Sequence, residues 1–586
     1  MTFNSTIKHT LTILLVSGAV MLTGLGAPRL WDRDEPRNAG CAREMLERFD
    51  WIVPTFNGEL RAHKPVLLYW CIMAAYSLGG VNEFTARLPS ALCAMGSALA
   101  TYAIGRRLFN STVGLWSGII LSTSLMLGVA GRAATPDSLL IFCVTLTMLA
   151  YVRFAFPSKD GSYFPTAIWQ QALLYGAMGL AVLAKGPVGL VLPTAIIGMF
   201  LLIQRLPAKE SPPGFVHKIA LVLRPFAPLH FLQTCLAMRP LLAIGMVLLI
   251  AAPWYIAVGM RTDGAFLKEF FVTHNLDRAT GSMEGHRGGP WFYPLAMLVG
   301  FFPWSIFAVP IVLETFYRLR IRDKDSAGYL FATCWVCVWV GTFSIAKTKL
   351  PSYVTPCYPA LALLAGCFVH HLQQKSLSLH RYWLPASYAT LAAVGVGIFV
   401  GIPIAAEKIL PGEAWLGILG IIPLAAGIIV AVGWYCDRMS WSAPLVASAG
   451  GIVVVGVLAL GASRADLHRF DQQMVVNWVK NSAGEAPLAS YRVLEPSWVF
   501  YSEQTIPELL GEPAAAARML ENHPHAALVT KEQFVPAIRR ELDGDLLIVD
   551  SAPHFLRKER LVVLQRKPTF ADVRAAKSSQ GKNSLH

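Results

Sequence analysis

Long apolar runs recur through most of this chain, and they restrict what it can fold into. From Thr10 to Leu460, segments of about 15–20 apolar residues alternate with short polar loops. Coiled into a helix, each run is about as long as the hydrocarbon core of a bilayer is thick, and the helix satisfies its own backbone hydrogen bonds there. The pattern reads as a polytopic α-helical membrane protein with about thirteen transmembrane helices. They fall near 10–27, 88–104, 113–130, 138–151, 168–183, 187–202, 241–258, 295–313, 329–345, 355–372, 383–402, 415–435 and 443–460. Two shorter stretches, 66–80 and 225–237, read as interfacial or re-entrant. Composition agrees: 15% of residues are charged, against about 25% in soluble domains.

The net charge of +14 does not point to nucleic acid, because Lys and Arg gather in short loops between apolar runs. With the N-terminus in the cytoplasm, the inside loops hold Arg106, Arg107, Arg318, Arg320 and Arg322 among others. The short outside loops hold Arg132, Lys185, Lys347, Lys349 and Lys408. Two long loops, 28–87 and 259–294, then face outside, together with the part of the chain after Leu460. The start of the chain has no small-x-small cleavage pattern and reads as an uncleaved first helix. Cys334 and Cys337 form a CxxC inside an apolar run, where they read as small apolar residues rather than a metal or redox pair.

Residues 1–464 therefore form the membrane domain. Beyond it, 465–567 reads as a small soluble α/β domain: ASYRVLEPSWVFYS, AALVTKEQF, DLLIVD and RLVVLQR as strands, EPAAAARMLENH as a helix. The basic tail, 568–586, has the composition of a disordered segment.

Chemistry-bearing residues concentrate in the outside loops. The stretch from Trp31 to Trp70 is dense in both signs of charge although apolar runs flank it. Asp34, Glu35, Pro36 and Arg37 open a helix, where Asp34 is either a cap or a positioned catalytic base. Asp137, in TPDSLL, is likewise either a cap or a functional carboxylate at a membrane surface. Lys64, Lys185 and Lys349 either snorkel to headgroups or, grouped on one face with Arg37 and Tyr353, hold an anionic lipid phosphate. His286 and Glu284 in SMEGHRGGPW are candidate metal ligands or acceptor contacts and, with His63, offer N and O ligands suited to zinc; a solvated loop histidine is the other reading.

The succession DEPR…REML…DWIVPTFNG…HKPVLLYW, TPD, AKGPVGL, GHRGGPWFY…GFFPWS and KLPSYVTPCYPALALL resembles the aminoarabinose (lipid A) transferase and protein O-mannosyltransferase-like family. These are GT-C glycosyltransferases of bacterial inner membranes that use polyprenyl-phosphate sugars. The likeness spans roughly residues 10–465. It implies a GT-C fold with the active site facing the periplasm. It makes Asp34 the principal catalytic carboxylate and Asp137 the second acidic position. It puts Glu35 and Arg37 in the substrate-binding motif, and Lys64 and Tyr353 at the lipid phosphate. It also implies that His286 matches a zinc-holding histidine; the glutamate that shares that role in the family is His63 here, so the metal site is altered.

The implied reaction moves a sugar from an undecaprenyl-phosphate carrier to a lipid A-like or protein acceptor, with inversion at the anomeric carbon. Two other classes fit a chain of this composition, a lipid or solute transporter and a non-catalytic scaffold. A transporter would carry charges in mid-membrane, whereas here they sit at one surface.

Overall fold

The computed structural model describes residues 3–567 except 32–33, 159–160, 207–222, 277–287, 381, 437–440, 483–486, 524 and 543–544. The tail 568–586, Glu284 and His286 lie outside the described residues. The membrane domain opens with α1 (Phe3–Leu22), then α2 (Asp34–Glu47), α3 (Leu67–Gly79), α4 (Glu83–Leu108), the pair α5 (Ser111–Ser122) and α6 (Leu125–Gly131), α7 (Pro136–Ala155), α8 (Ile168–Lys185) and α9 (Val188–Gln204). Seven further long helical segments follow among the described residues, at Pro240–Arg261, Phe292–Ile321, Ser326–Ile345, Pro351–Gln373, Trp383–Ile409, Ala414–Tyr435 and Ser442–Asp466.

Helix occupies every apolar segment expected from the sequence. Among the described residues, 9 helices are long and apolar enough to cross a membrane, or up to 10 with α5 and α6 counted as one span bent by 65°. The remaining expected spans fall on α8, on α9 and on the stretch Phe292–Ile321, which is interrupted near Pro303. Of the two stretches expected at the interface, 66–80 forms the short α3, and 225–237 holds the short helix Pro228–Ala237.

The core of the membrane domain is α4, packed against α5 and α7. A Cβ on Gly105 of α4 would stand 2.9 Å from the Cα of Gly114 in α5. Glycine is what lets the two backbones meet, as small residues do where helices associate in lipid. Pro240–Arg261, by contrast, turns Leu241, Leu248, Leu249, Ile256 and Met260 outward. An apolar outer face of this kind is solvated by acyl chains rather than water.

Five strands of the soluble part form one sheet, β3 (Leu488–Tyr491), β4 (Glu508–Leu509), β5 (Ala527–Lys531), β6 (Leu546–Pro553) and β7 (Arg560–Arg566), in the order β4-β3-β5-β7-β6. β3 runs parallel to β4 and β5; β7 is antiparallel to β5 and β6. Alternate residues enter opposite faces: Leu488, Val529 and Val563 one core, Ala489, Leu528 and Leu564 the other. A sheet covered on both faces needs such continuous apolar strands.

One expectation fails here. The strand read over ASYRVLEPSWVFYS stops at Tyr491, and Pro496–Ser502 is a helix with Pro496 in its first turn. Proline has no N–H for a ladder but is preorganised for a helix start. That helix lies on α2, where Arg43 donates to the Phe500 carbonyl at 2.8 Å and sits 5.1 Å from the Phe500 ring centroid. The soluble part is thus seated on the first long loop.

Candidate functional site

The first loop is built to hold α2 rigidly. Strands β1 (Thr55–Phe56) and β2 (Glu59–Leu60) make a hairpin through Asn57-Gly58, both with positive φ, 60° and 77°. Asn-Gly is the pair that a two-residue hairpin of this hand favours. Glu44 of α2 accepts from the Thr55 hydroxyl at 2.6 Å and from the Asn57 N–H at 2.6 Å. Asn57 exchanges hydrogen bonds with Ile506 of the soluble part, donating at 2.8 Å and accepting at 2.8 Å.

At the start of α2, two adjacent carboxylates have opposite fates. The Asp34 side chain is 51% exposed and faces the Arg61 guanidinium at 3.8 Å. The Glu35 side chain is 4% exposed. Arg87 holds Glu35 with two hydrogen bonds of 2.8 Å, and the N–H groups of Ala134 (2.8 Å) and Trp31 (2.6 Å) donate to the same oxygens. Every oxygen of Glu35 is committed, so it is a scaffold residue and not the substrate-binding group expected from the motif. Its local spacing is that of a first-turn acid, and its buried partner, Arg87, lies in a different helix. Arg61 is itself buried, donating to Asn38 Oδ1 at 3.2 Å and to the Tyr69 hydroxyl at 3.3 Å, while Asn38 donates to the Ala134 carbonyl at 2.9 Å. The α2 start, the loop before α3 and the loop before α7 are therefore one network.

A cavity of about 380 Å³ opens beside that network. Leu140, Val188, Val191, Leu192, Phe270 and Phe343 give it apolar walls, and His63, Lys64, Lys185, His274 and Tyr353 add polar groups. Lys185, the last residue of α8, forms an ion pair with Asp137 in the first turn of α7 and lies 5.4 Å from the Tyr353 ring centroid. Oδ1 of Asp137 thus holds the Lys185 ammonium. Lys349 does not join the cavity wall. Its ammonium donates to the carbonyls of Ser344 (2.9 Å) and Gly289 (3.5 Å) and lies 5.6 Å from the Tyr293 ring centroid. Arg37 is half-buried and, with Arg61, His274 and Lys64, adds positive potential at His63.

Burial first, and the electrostatic influence of these neighbours second, push His63 down to about 3, so its imidazole is neutral at physiological pH. Its ring lies 4.0 Å, centroid to centroid, from that of His274, and His274 Nε2 is 3.3 Å from Glu269 Oε1. One ligand atom from each of His63, Glu269 and His274 falls within 4.8 Å of the others. Nδ1 of His63 is buried without a hydrogen-bond partner. A neutral imidazole with an unmatched nitrogen, a second imidazole and a carboxylate make a donor set that zinc accepts. The sequence reading had His63 but missed Glu269 and His274, since only the fold sets 63 against 269–274. The i, i+5 spacing of Glu269 and His274 carries no helical-face signal, and the turns there are wider than α-helical.

Residues 63–231 match a protein family described as dolichyl-phosphate-mannose-protein mannosyltransferase. Over 443 residues the chain is 28% identical to the undecaprenyl phosphate-alpha-4-amino-4-deoxy-L-arabinose arabinosyl transferase of Pectobacterium carotovorum, covering 73% of this chain and 70% of that one. Identity to the protein of the same name from Pseudomonas aeruginosa PAO1 is 28% over 451 residues, 75% of this chain and 74% of that one. The fold is that of ArnT from Cupriavidus metallidurans, solved with undecaprenyl phosphate bound: TM-score 0.70, 21% identity, 95% of this chain and 99% of that one.

Proposed function

We propose that this chain is a GT-C glycosyltransferase that moves a sugar from a polyprenyl-phosphate carrier to a lipid A-like or protein acceptor at the periplasmic face of the bacterial inner membrane. The relatives that name undecaprenyl phosphate support the carrier. The observation that carries the reading to this chain's own residues is the cavity, apolar along its walls, with Lys64, Lys185 and Tyr353 in its lining. A polyprenyl tail needs the first property and its phosphate the second.

In the reaction, an acceptor oxygen attacks the anomeric carbon, and the bond from that carbon to the phosphate oxygen breaks. The electron pair leaves with the polyprenyl phosphate, a stable anion that needs little proton donation. Lys64, Lys185 and the Tyr353 hydroxyl stabilise the charge that grows on the phosphate. Asp137 holds the Lys185 ammonium in place. Asp34, exposed at a fixed helix start, receives the acceptor proton when the acceptor is a hydroxyl, or orients it when it is a phosphate already ionised. Direct displacement inverts the anomeric centre. Arg61, buried and anchored by Asn38 and Tyr69, sets the orientation of Asp34.

His63, Glu269 and His274 are the residues fitted to hold a zinc-class divalent ion, and His286 belongs in the same test. Such an ion supplies fixed positive charge at this end of the cavity. The rigid parts of the chain bind and orient the substrates.

The test is transfer from an undecaprenyl-phosphate sugar in membranes carrying wild type or Asp34→Asn at equal expression. Loss of transfer with donor binding kept is the expected result. Wild-type transfer by Asp34→Asn sinks the assignment of Asp34; donor movement across the bilayer without transfer by the wild type would replace enzyme with transporter.

A further inference from the structure

A second cleft, about 440 Å³, lies where the soluble part meets the first loop, lined by Trp31, Arg469, Asp471, Glu495, His554 and Phe555 among others. It shares no lining residue with the cavity described above. Its walls come from four places: the chain just before α2, the start of the helix Phe470–Asn481, the start of the helix Pro496–Ser502 and the turn between β6 and β7. Phe555 meets the Trp31 ring edge-on at 5.8 Å between centroids, and its N–H donates to Asp471 Oδ2 at 3.5 Å. Arg469 lies 5.9 Å from the Trp31 ring centroid and donates to the Leu30 carbonyl at 2.9 Å. The site is thus tied to the peptide that leads into Asp34.

The walls carry polar atoms that the protein leaves unmatched. Asp471 and His554 are 5% and 6% exposed, yet Asp471 Oδ1 and His554 Nδ1 have no hydrogen-bond partner, and neither has the indole N–H of Trp31. A buried polar atom without a partner costs stability unless a ligand or water completes it. One wants a donor, one wants an acceptor, and one accepts either. The lining holds Arg469 and Arg557 together with Asp471 and Glu495, so these four side chains leave no excess of one sign to favour a simple ion, and Arg469 also pairs with Asp466 at 3.5 Å. A metal is disfavoured too, since among the described residues the group of ligand atoms that converges is His63, Glu269 and His274.

Hydroxyl groups both donate and accept, and a pyranose ring presents several of them around an apolar face that suits an indole. A cleft of this volume is in the range that holds one or two such rings. Trp31 precedes Asp34 by three residues, so at most about 11 Å of chain separates their Cα atoms. We propose that this cleft is a carbohydrate subsite and that it seats the glycan headgroup of the acceptor beside Asp34. The second half of that statement rests on the transfer reading; the first half does not.

The test uses the full-length protein in nanodiscs, with saturation-transfer NMR on chitobiose and cellobiose as probes and inorganic phosphate as competitor. The expected result is saturation transfer to ring protons of at least one disaccharide, undisturbed by phosphate. Binding weakens roughly fivefold to tenfold in Trp31→Phe, which keeps the ring contacts and removes the N–H, and in Asp471→Asn. Unchanged thermal unfolding of both variants shows that they are folded. In a transfer assay the same variants raise KM for the acceptor and leave KM for the donor alone. No saturation transfer from either sugar, equal binding in both variants, or displacement by phosphate overturns the proposal. Sugar binding without any transfer activity would keep the carbohydrate subsite and remove the transferase reading, so the two failures are separable.

Discussion

Glu35→Gln should disable this protein through its fold rather than its chemistry. In the structure both carboxylate oxygens of Glu35 accept hydrogen bonds, from two nitrogens of Arg87 and from the N–H groups of Ala134 and Trp31. A glutamine retains one carbonyl oxygen, and its NH2 group faces donors on that side. It also leaves the Arg87 guanidinium, which is 3% exposed, without a counter-charge. Breaking a buried pair from one side costs about 3–5 kcal/mol. Cys41, fully buried on α2, reports on this directly. Burial pushes its thiol up to about 12, so it is unreactive while α2 stays docked. If α2 undocks from a fast pre-equilibrium, a loss of 3–5 kcal/mol raises the labelling rate of Cys41 about 10²–10⁴-fold, at tenfold for each 1.4 kcal/mol. The assay is timed alkylation of purified protein with mass-spectrometric readout of the Cys41 peptide, set beside transfer activity. Replacing both partners, Glu35→Gln with Arg87→Met, should recover part of the protection because no lone charge remains buried. Wild-type labelling of Cys41 in Glu35→Gln together with lost transfer would refute this reasoning and return Glu35 to the substrate.

Asp34→Asn should lower transfer by at least about 10²-fold with Cys41 labelling unchanged, since an exposed carboxylate can be neutralised without unfolding its helix. Asp137→Asn and Lys185→Met should couple strongly in a double-mutant cycle on donor binding, because each is the other's partner in an ion pair; additive effects would place them on separate tasks. Lys349→Met should disturb folding yield more than donor affinity, measured by donor titration of the folded fraction, because its ammonium is bound to carbonyls. Purified protein should carry about one zinc equivalent by elemental analysis, reduced in His63→Ala and in His274→Ala; undiminished metal in both would move the ligands elsewhere, with His286→Ala as the next variant.

The residues alone determined the membrane class and nearly every helical segment. Bilayer thickness turns apolar run length into a count of spans, a local rule that needs no tertiary contact. They also pointed to the Asp34 motif, Lys64 and Lys185, because charges flanked by apolar runs have few reasons to exist, and to Tyr353 as a hydroxyl donor near them. The residues gave Asp34 and Glu35 different tasks, but they did not show that Glu35 is buried and paired while Asp34 is exposed. That difference depended on Arg87, fifty-two positions away, filling the space behind α2. Nor did they distinguish Lys185, which faces the cavity, from Lys349, which turns to the carbonyls of Ser344 and Gly289. Short local rules likewise extended a strand through Pro496, where docking against α2 required a helix. The trio His63, Glu269 and His274 and the cleft at Trp31 join segments hundreds of residues apart. Periodicity reaches only as far as one element, so what those segments do together was decided by packing.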